Sequence, residues 1–186
     1  MQFLRKTYAF LLDTVQTLLI VFAIFLVIYQ FLFRPFQVSG NSMYPTFYDK
    51  QYILTDIIGL KVSDPKKGDV VVFKSPPNPE KDYIKRVIGT PGDAVEIKDG
   101  NVYVNGKILD ESKYLKLSVK TYGGSSLHEN EPIKVPPNSY LVMGDNRNGS
   151  SDSREWGFVP IRLIIGKSLF VYWPLNKIGI IKNPYN

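Results

Sequence analysis

Ser42 stands in the run Val38-Ser-Gly-Asn-Ser-Met-Tyr-Pro-Thr46, with Gly40 two residues before it and Pro45 three residues after. A turn of this kind can expose a hydroxyl on stiff backbone, with nearby N–H groups free to stabilise a developing oxyanion. Lys85 stands in Tyr83-Ile-Lys-Arg-Val-Ile-Gly89. Strand alternation would put it on one face with Tyr83 and Val87, and Arg86 on the other with Ile84 and Ile88. Both faces are partly apolar, so at least one of the two cations should be shielded. A shielded lysine has a lowered pKa and can act as a neutral general base. A lysine that snorkels its head to water is the competing reading of this run alone. A third run, Met143 to Gly157, gathers Asp145, Arg147, Ser150, Asp152 and Arg154 between apolar segments. Asp152 and Arg154 can pair through a bent backbone, and such a network suits the support of a site.

The inventory removes most other chemistries. There is no cysteine, which excludes a thiol nucleophile, a disulfide scaffold and Cys-ligated metal. His128 is the single histidine and sits in a polar stretch, so it reads as a surface residue rather than part of a Ser-His-Asp triad. No H-E-x-x-H, G-x-G-x-x-G or phosphate loop is present, and no metal or other cofactor is expected. For hydrolysis, a serine with a lysine base is what is left. The net charge of +6 comes from 23 basic and 17 acidic residues mixed along the chain. Without a dense basic block it reads first as an ordinary solvated surface, and anionic lipid headgroups are a better use of the excess than nucleic acid.

The elements that must position these residues are of two kinds. Leu18 to Phe33 is apolar except for Gln30, and with Val15 to Thr17 it makes a helix of about 28 Å, enough to cross a bilayer core. Arg34 and Pro35 close it. No small-residue A-x-A exit follows, so an uncleaved anchor over 15–34 is expected, preceded by a short segment 1–14 whose side of the membrane the charges barely decide. From residue 35 to 186 the pattern changes to short apolar runs broken by Gly, Pro, Asn and Asp. Runs at 70–73, 83–88, 94–97, 102–104, 139–143 and 168–173 read as strands. Asn105-Gly106 is a two-residue hairpin turn, and Thr90 to Asp93 is another turn. The stretch 107–138 is polar, with Gly123-Gly124 and Pro136-Pro137, and reads as a loop or small flap inserted between core strands. The expected fold is mostly β, an antiparallel domain of roughly 150 residues on one membrane tether.

In these runs the sequence resembles the bacterial-type signal peptidases of the type I family. S-G-N-S-M-Y-P-T at 39–46 resembles the family's nucleophile box, and Y-I-K-R-V-I-G-T-P-G-D at 83–93 its lysine box. G-D-N-R-N-G-S-S-D-S-R-x-W-G at 144–157 resembles the third box, and G-D-V-V-V-F at 68–73 matches as well. The likeness runs over nearly the whole chain, with the anchor before the boxes in the expected order.

The resemblance implies a membrane-anchored serine endopeptidase that removes signal peptides from exported preproteins after small residues. It implies Ser42 as nucleophile and Lys85 as base. Ser150 matches the hydroxyl that orients the lysine amine, and Asp152 with Arg154 the supporting pair; Asp145 and Arg147 belong to the same box. Some members carry a serine two residues before the nucleophile as an oxyanion donor. Here Gly40 stands there, as in the Gly-bearing branch of Gram-positive and related bacteria. The Ser42 N–H is then the oxyanion donor, with Gly40, a neighbouring N–H or water beside it. The family likeness also places the catalytic domain outside the plasma membrane, with 1–14 on the cytoplasmic side. The competing readings are a tethered β domain that binds extended peptides without cleaving them, and a self-cleaving repressor-type Ser-Lys protease.

Overall fold

The structure, a computed structural model, describes residues 2–185. It opens with one long helix, α1 (Gln2–Leu32). Its most apolar window runs from Arg5 to Val27, long enough to cross a membrane, and none of that window is buried against the rest of the protein. Thr7, Thr14 and Thr17 turn their hydroxyls back onto the carbonyls four residues earlier, at 2.8 to 3.0 Å. That keeps polar side chains satisfied without leaving the helix. The helix starts earlier than the 15–34 span expected from the apolar run. It also stops sooner, because Pro35 forces extended backbone at Arg34. Phe33 and Arg34 belong instead to β1 (Phe33–Gln37). This is an edge strand, where a proline's missing N–H is tolerated.

The rest is mostly antiparallel β. After β1 come β2 (Tyr52–Asp56), a one-turn α2 (Gly59–Val62), β3 (Val70–Ser75) and β4 (Asn78–Gly89). Then follow β5 (Ala94–Lys98), β6 (Asn101–Val104), β7 (Lys107–Ile108), β8 (Ile133–Lys134) and β9 (Ser139–Met143). The chain ends with α3 (Ser153–Trp156), β10 (Val159–Pro160), β11 (Ile164–Trp173) and β12 (Gly179–Ile180). The main sheet runs β1-β2-β11-β3-β4-β9-β10, with β12 on β11. A second sheet runs β7-β6-β5-β8.

The main sheet explains why Val70 to Phe73 is apolar without alternation. Val70 and Val72 pack with Val38, Met43, Phe47 and Ile53. Val71 and Phe73 pack on the opposite side with Val87, Tyr140, Val142 and Val159. A strand buried on both faces reads as a continuous apolar run. Truncating Phe73 to Ala would cost about 3–5 kcal/mol.

The strands expected at 94–97 and 102–104 are present as β5 and β6. They pair with each other and with the edges of the inserted stretch, not with the main sheet. Asn105-Gly106 forms the β6–β7 hairpin, both residues at positive φ. Residues 109–132 are the loops of a cap carried by this second sheet. The two sheets share a core of Ile88, Leu141 and Met143 against Val95, Ile97, Val102 and Val104.

Candidate active site

Strand β4 carries Lys85 and Arg86 into the interior, at 4% and 2% exposure. At least one shielded cation was expected; both are shielded. The Lys85 amine donates to Ser42 Oγ at 2.8 Å and to the Ile84 carbonyl at 3.1 Å. It lies 5.2 Å from the centroid of the Tyr83 ring, on the face that alternation predicts. Burial pulls the Lys85 pKa down to about 8, against the opposing pull of Asp152 and Asp145. A neutral amine against a serine hydroxyl can take its proton.

The third run builds the surroundings. Asp152 and Arg154 form a buried two-pronged pair, Nε–Oδ1 at 2.8 Å and Nη2–Oδ2 at 2.9 Å. Asp152 also accepts from the Gly144 N–H at 2.9 Å and caps α3. Asp145 instead holds Arg86, with Nε–Oδ1 at 2.9 Å and Nη2–Oδ2 at 2.7 Å, and accepts from Thr46 Oγ1. One carboxylate therefore ties all three motifs together. The Asn146 N–H donates to the Ser42 carbonyl at 3.0 Å. Gly144 lies so close to this turn that a Cβ there would come within 2.4 Å of the Ser42 carbonyl oxygen and 2.2 Å of Ser150 Oγ.

Two expectations meet a different arrangement. Ser150 Oγ is buried without a hydrogen-bond partner among the described residues. The lysine amine takes its second acceptor from the Ile84 main chain instead. Gly40 adopts φ +82°, a conformation that favours glycine. Its N–H donates to Asp49 Oδ1 at 2.8 Å, so it brings no unengaged donor to Ser42. The Ser42 N–H itself has no acceptor among the described residues. His128 is exposed on the cap.

Ser42 and Lys85 open into a cleft of about 250 Å³. Its walls are Phe36 to Ser39, at the end of β1 and just beyond it, and Asp82 to Lys85 of β4, with Ile53 and Val72 between. β9 pairs with β4 only from Arg86 onward, so Asp82 to Lys85 have a strand neighbour, β3, on one side only.

A part-buried Ser-Lys contact in an extended cleft has the groups that acyl transfer requires. The profile of the family described as signal peptidase, peptidase S26, matches residues 11–173. The chain belongs to the signal peptidase family. Signal peptidase IB of Staphylococcus aureus strain MRSA252 is 37% identical over 187 residues, 95% of this chain and 96% of that protein. A probable signal peptidase I-2 of a Synechocystis strain is 39% identical over 149 residues, 77% of this chain and 65% of that one. The crystal structure of a signal peptidase I from Enterococcus faecalis is 30% identical, with a TM-score of 0.45, over 56% of this chain and 97% of that one. Membership makes this signal peptidase a serine endopeptidase.

Sequence reasoning passed over several residues of the site. Arg86 was visible only as a second shielded cation, with nothing to name Asp145 as its partner. Thr46, Asn146 and Asp49 carry hydrogen bonds that no motif spacing announces. Glu111 was hidden in the polar insertion, which read as a surface excursion; it chelates Arg147. The acidic pair Asp110-Glu111 near the start of an otherwise ordinary loop was the available signal.

Proposed function

We propose that this signal peptidase cleaves preproteins by a Ser42–Lys85 dyad. The observation that carries the reading is the 2.8 Å contact between the buried Lys85 Nζ and the half-buried Ser42 Oγ. Neutral Lys85 takes the Ser42 proton as Oγ attacks the scissile carbonyl. The oxyanion meets the Ser42 N–H. The lysine ammonium then protonates the departing amine, and water hydrolyses the acyl-enzyme with the same lysine as base. Asp145, Asp152 and Arg154 hold the surroundings, and Ser150 supports the amine during turnover.

The preprotein's signal-peptide end lies extended between the two cleft walls, hydrogen-bonding the unpaired side of Asp82 to Lys85 as an added strand. The side chains just before the cut are small, as the likeness to the signal peptidases implies. Helix α1 is the membrane anchor, single-pass in the plasma membrane. The segment 1–14 is cytoplasmic, the anchor is the part of α1 from about 15 to Leu32, and the domain from β1 onward, with its cap at 107–138, is extracytoplasmic. The bilayer is thus a second partner and brings the enzyme to substrates that are themselves membrane-held.

The test is cleavage of a purified secretory precursor by the full chain in detergent micelles, with the new N-terminus read by mass. Cleavage behind a small residue that disappears in Ser42→Ala supports the reading. Undiminished cleavage by Ser42→Ala defeats it.

A further inference from the structure

The cap meets the catalytic motifs at a carboxylate that the reaction scheme leaves unused. Glu111, 14% exposed, chelates the fully buried guanidinium of Arg147 through both of its oxygens, with Nη1 2.9 Å from Oε2. Its Oε1 also accepts from Tyr114 Oη at 2.7 Å. The Tyr114 ring centroid lies 4.2 Å from the Arg86 guanidinium carbon. Glu111 therefore reaches two of the three motifs at once, the third box through Arg147 and strand β4 through Tyr114 and Arg86.

We propose that Glu111 is a positioning residue for the peptidase reaction, neutralising Arg147 and fixing Tyr114 so that the third box and β4 keep the spacing Ser42 and Lys85 need. This rests on the Ser42–Lys85 dyad as the catalytic pair. Arg147 is well placed to pass on a disturbance. Its Nε donates to the Gly144 carbonyl at 3.1 Å, and its own carbonyl accepts from Arg154 Nη2 at 2.7 Å. Gly144 is the residue packed on the Ser42 carbonyl.

Without the Glu111 carboxylate, Arg147 is a buried cation lacking its counter-charge, which is strongly unfavourable. The carboxylate that also acts on it is Asp145, already committed to Arg86. Competition for Asp145 would pull Arg86, and Lys85 beside it, out of register. The cap's attachment does not hang on Glu111 alone. The Ser126 and Leu127 N–H groups donate to the Arg154 carbonyl at 2.8 and 3.2 Å, and Ser125 Oγ donates to Glu155. Loss of the charge should therefore loosen the site before it unfolds the domain.

The experiment uses the full chain in detergent micelles and one precursor substrate, with kcat, KM and a melting curve for each variant. Glu111→Gln should lower kcat about tenfold or more, with KM changed by less than roughly twofold. The double variant Glu111→Gln/Arg147→Gln should cost no more than the worse single variant, because the two groups act as a unit. Leu117→Ala, 90% exposed on the same cap, should match wild type. Wild-type kcat in folded Glu111→Gln, a rise in KM alone, losses that multiply in the double variant, or a loss that tracks the unfolded fraction would each overturn the proposal. If Glu111→Gln does not fold, Tyr114→Phe supplies the reading. It keeps the ring on Arg86 and deletes the donor to Glu111, together with the exposed 3.2 Å contact to Tyr185 Oη, and should lower kcat about two- to fivefold at constant KM. Full activity there overturns the proposal. Lys85→Ala in the same series separates the two ideas. An active Lys85→Ala protein sinks the dyad, whereas an inactive one beside a fully active Glu111→Gln sinks only the role of Glu111.

Discussion

Lys85 Nζ and Ser42 Oγ stand 2.8 Å apart, although 43 positions separate the two residues in the chain. Lys85 rides on a strand paired on one side with β3, and Ser42 on a turn whose carbonyl is held by the Asn146 N–H. Neither residue is brought to the other by local structure. The contact exists because the end of β1 and strand β4 face one cleft although three strands lie between them in the sheet, and the third box braces the turn through Asn146.

Deleting either member should end turnover while leaving the fold in place. Ser42→Ala removes one hydroxyl and Lys85→Ala one amine, and no histidine stands by to replace the base. Lys85→Arg should not rescue, since guanidinium stays protonated at any working pH. Single and double variants assayed on one precursor should show the double no worse than the worse single. Persistent turnover in Lys85→Ala would return His128 to consideration.

The pH dependence follows from the Lys85 pKa of about 8. The base works only when neutral, so kcat/KM should rise with pH through about 8 and level off above it. Stability should move the same way. Between about 8 and the unfolded value near 10.5, the unfolded chain binds more protons than the folded one, so stability climbs with pH there and is flat below. Lys85→Met should therefore be the more stable protein at pH 7, by on the order of 3 kcal/mol, and lose that advantage toward pH 10. Denaturant titrations at the two pH values check this; a gap that widens with pH contradicts it.

Ser150→Ala separates rate from stability. The hydroxyl has no partner in the resting structure, so its removal should leave the melting temperature unchanged or higher. If Ser150 supports the amine during turnover, the rate should still fall about 5- to 150-fold. A fully active Ser150→Ala protein removes Ser150 from the support of Lys85.

Gly144→Ala and Asp152→Ala probe the brace. The alanine methyl at 144 would press on the Ser42 carbonyl and on Ser150, so activity should fall well before stability does. Asp152→Ala strands the buried Arg154 guanidinium and should destabilise by about 3–5 kcal/mol. Thermal melts read beside precursor cleavage distinguish the two. An unaltered melt for Asp152→Ala would mean that the pair carries no structural load.

Substrate choice should follow the preference for small residues that the family likeness implies. A precursor with Ala before the cut should be processed much faster than one with Leu, Phe or Lys there. Equal rates for Ala and Phe would contradict a narrow subsite formed between Phe36 to Ser39 and Asp82 to Lys85.

Local features were legible in the sequence because their causes are local. The unbroken apolar run with Pro35 after it sets a helix that must stop, and Asn105-Gly106 sets a hairpin through its positive φ values. Val70 to Phe73 declares a strand buried on both faces. The three motifs name Ser42 and Lys85 through resemblance, and alternation puts Lys85 beside Tyr83. Partnership between charges was not legible, because it depends on where separate strands arrive in space. Asp145 could have met Arg147 or Arg154 within its own run, yet it meets Arg86, 59 positions away, where the β4–β9 register sets Arg86 opposite Met143. Arg147 is then left to Glu111 of the cap. The Gly40 N–H likewise points to Asp49 because the turn folds back on itself, and the Lys85 amine finds the Ile84 carbonyl rather than Ser150. Residue types limit which bonds can form; only the packing of both sheets and the cap decides which of them do.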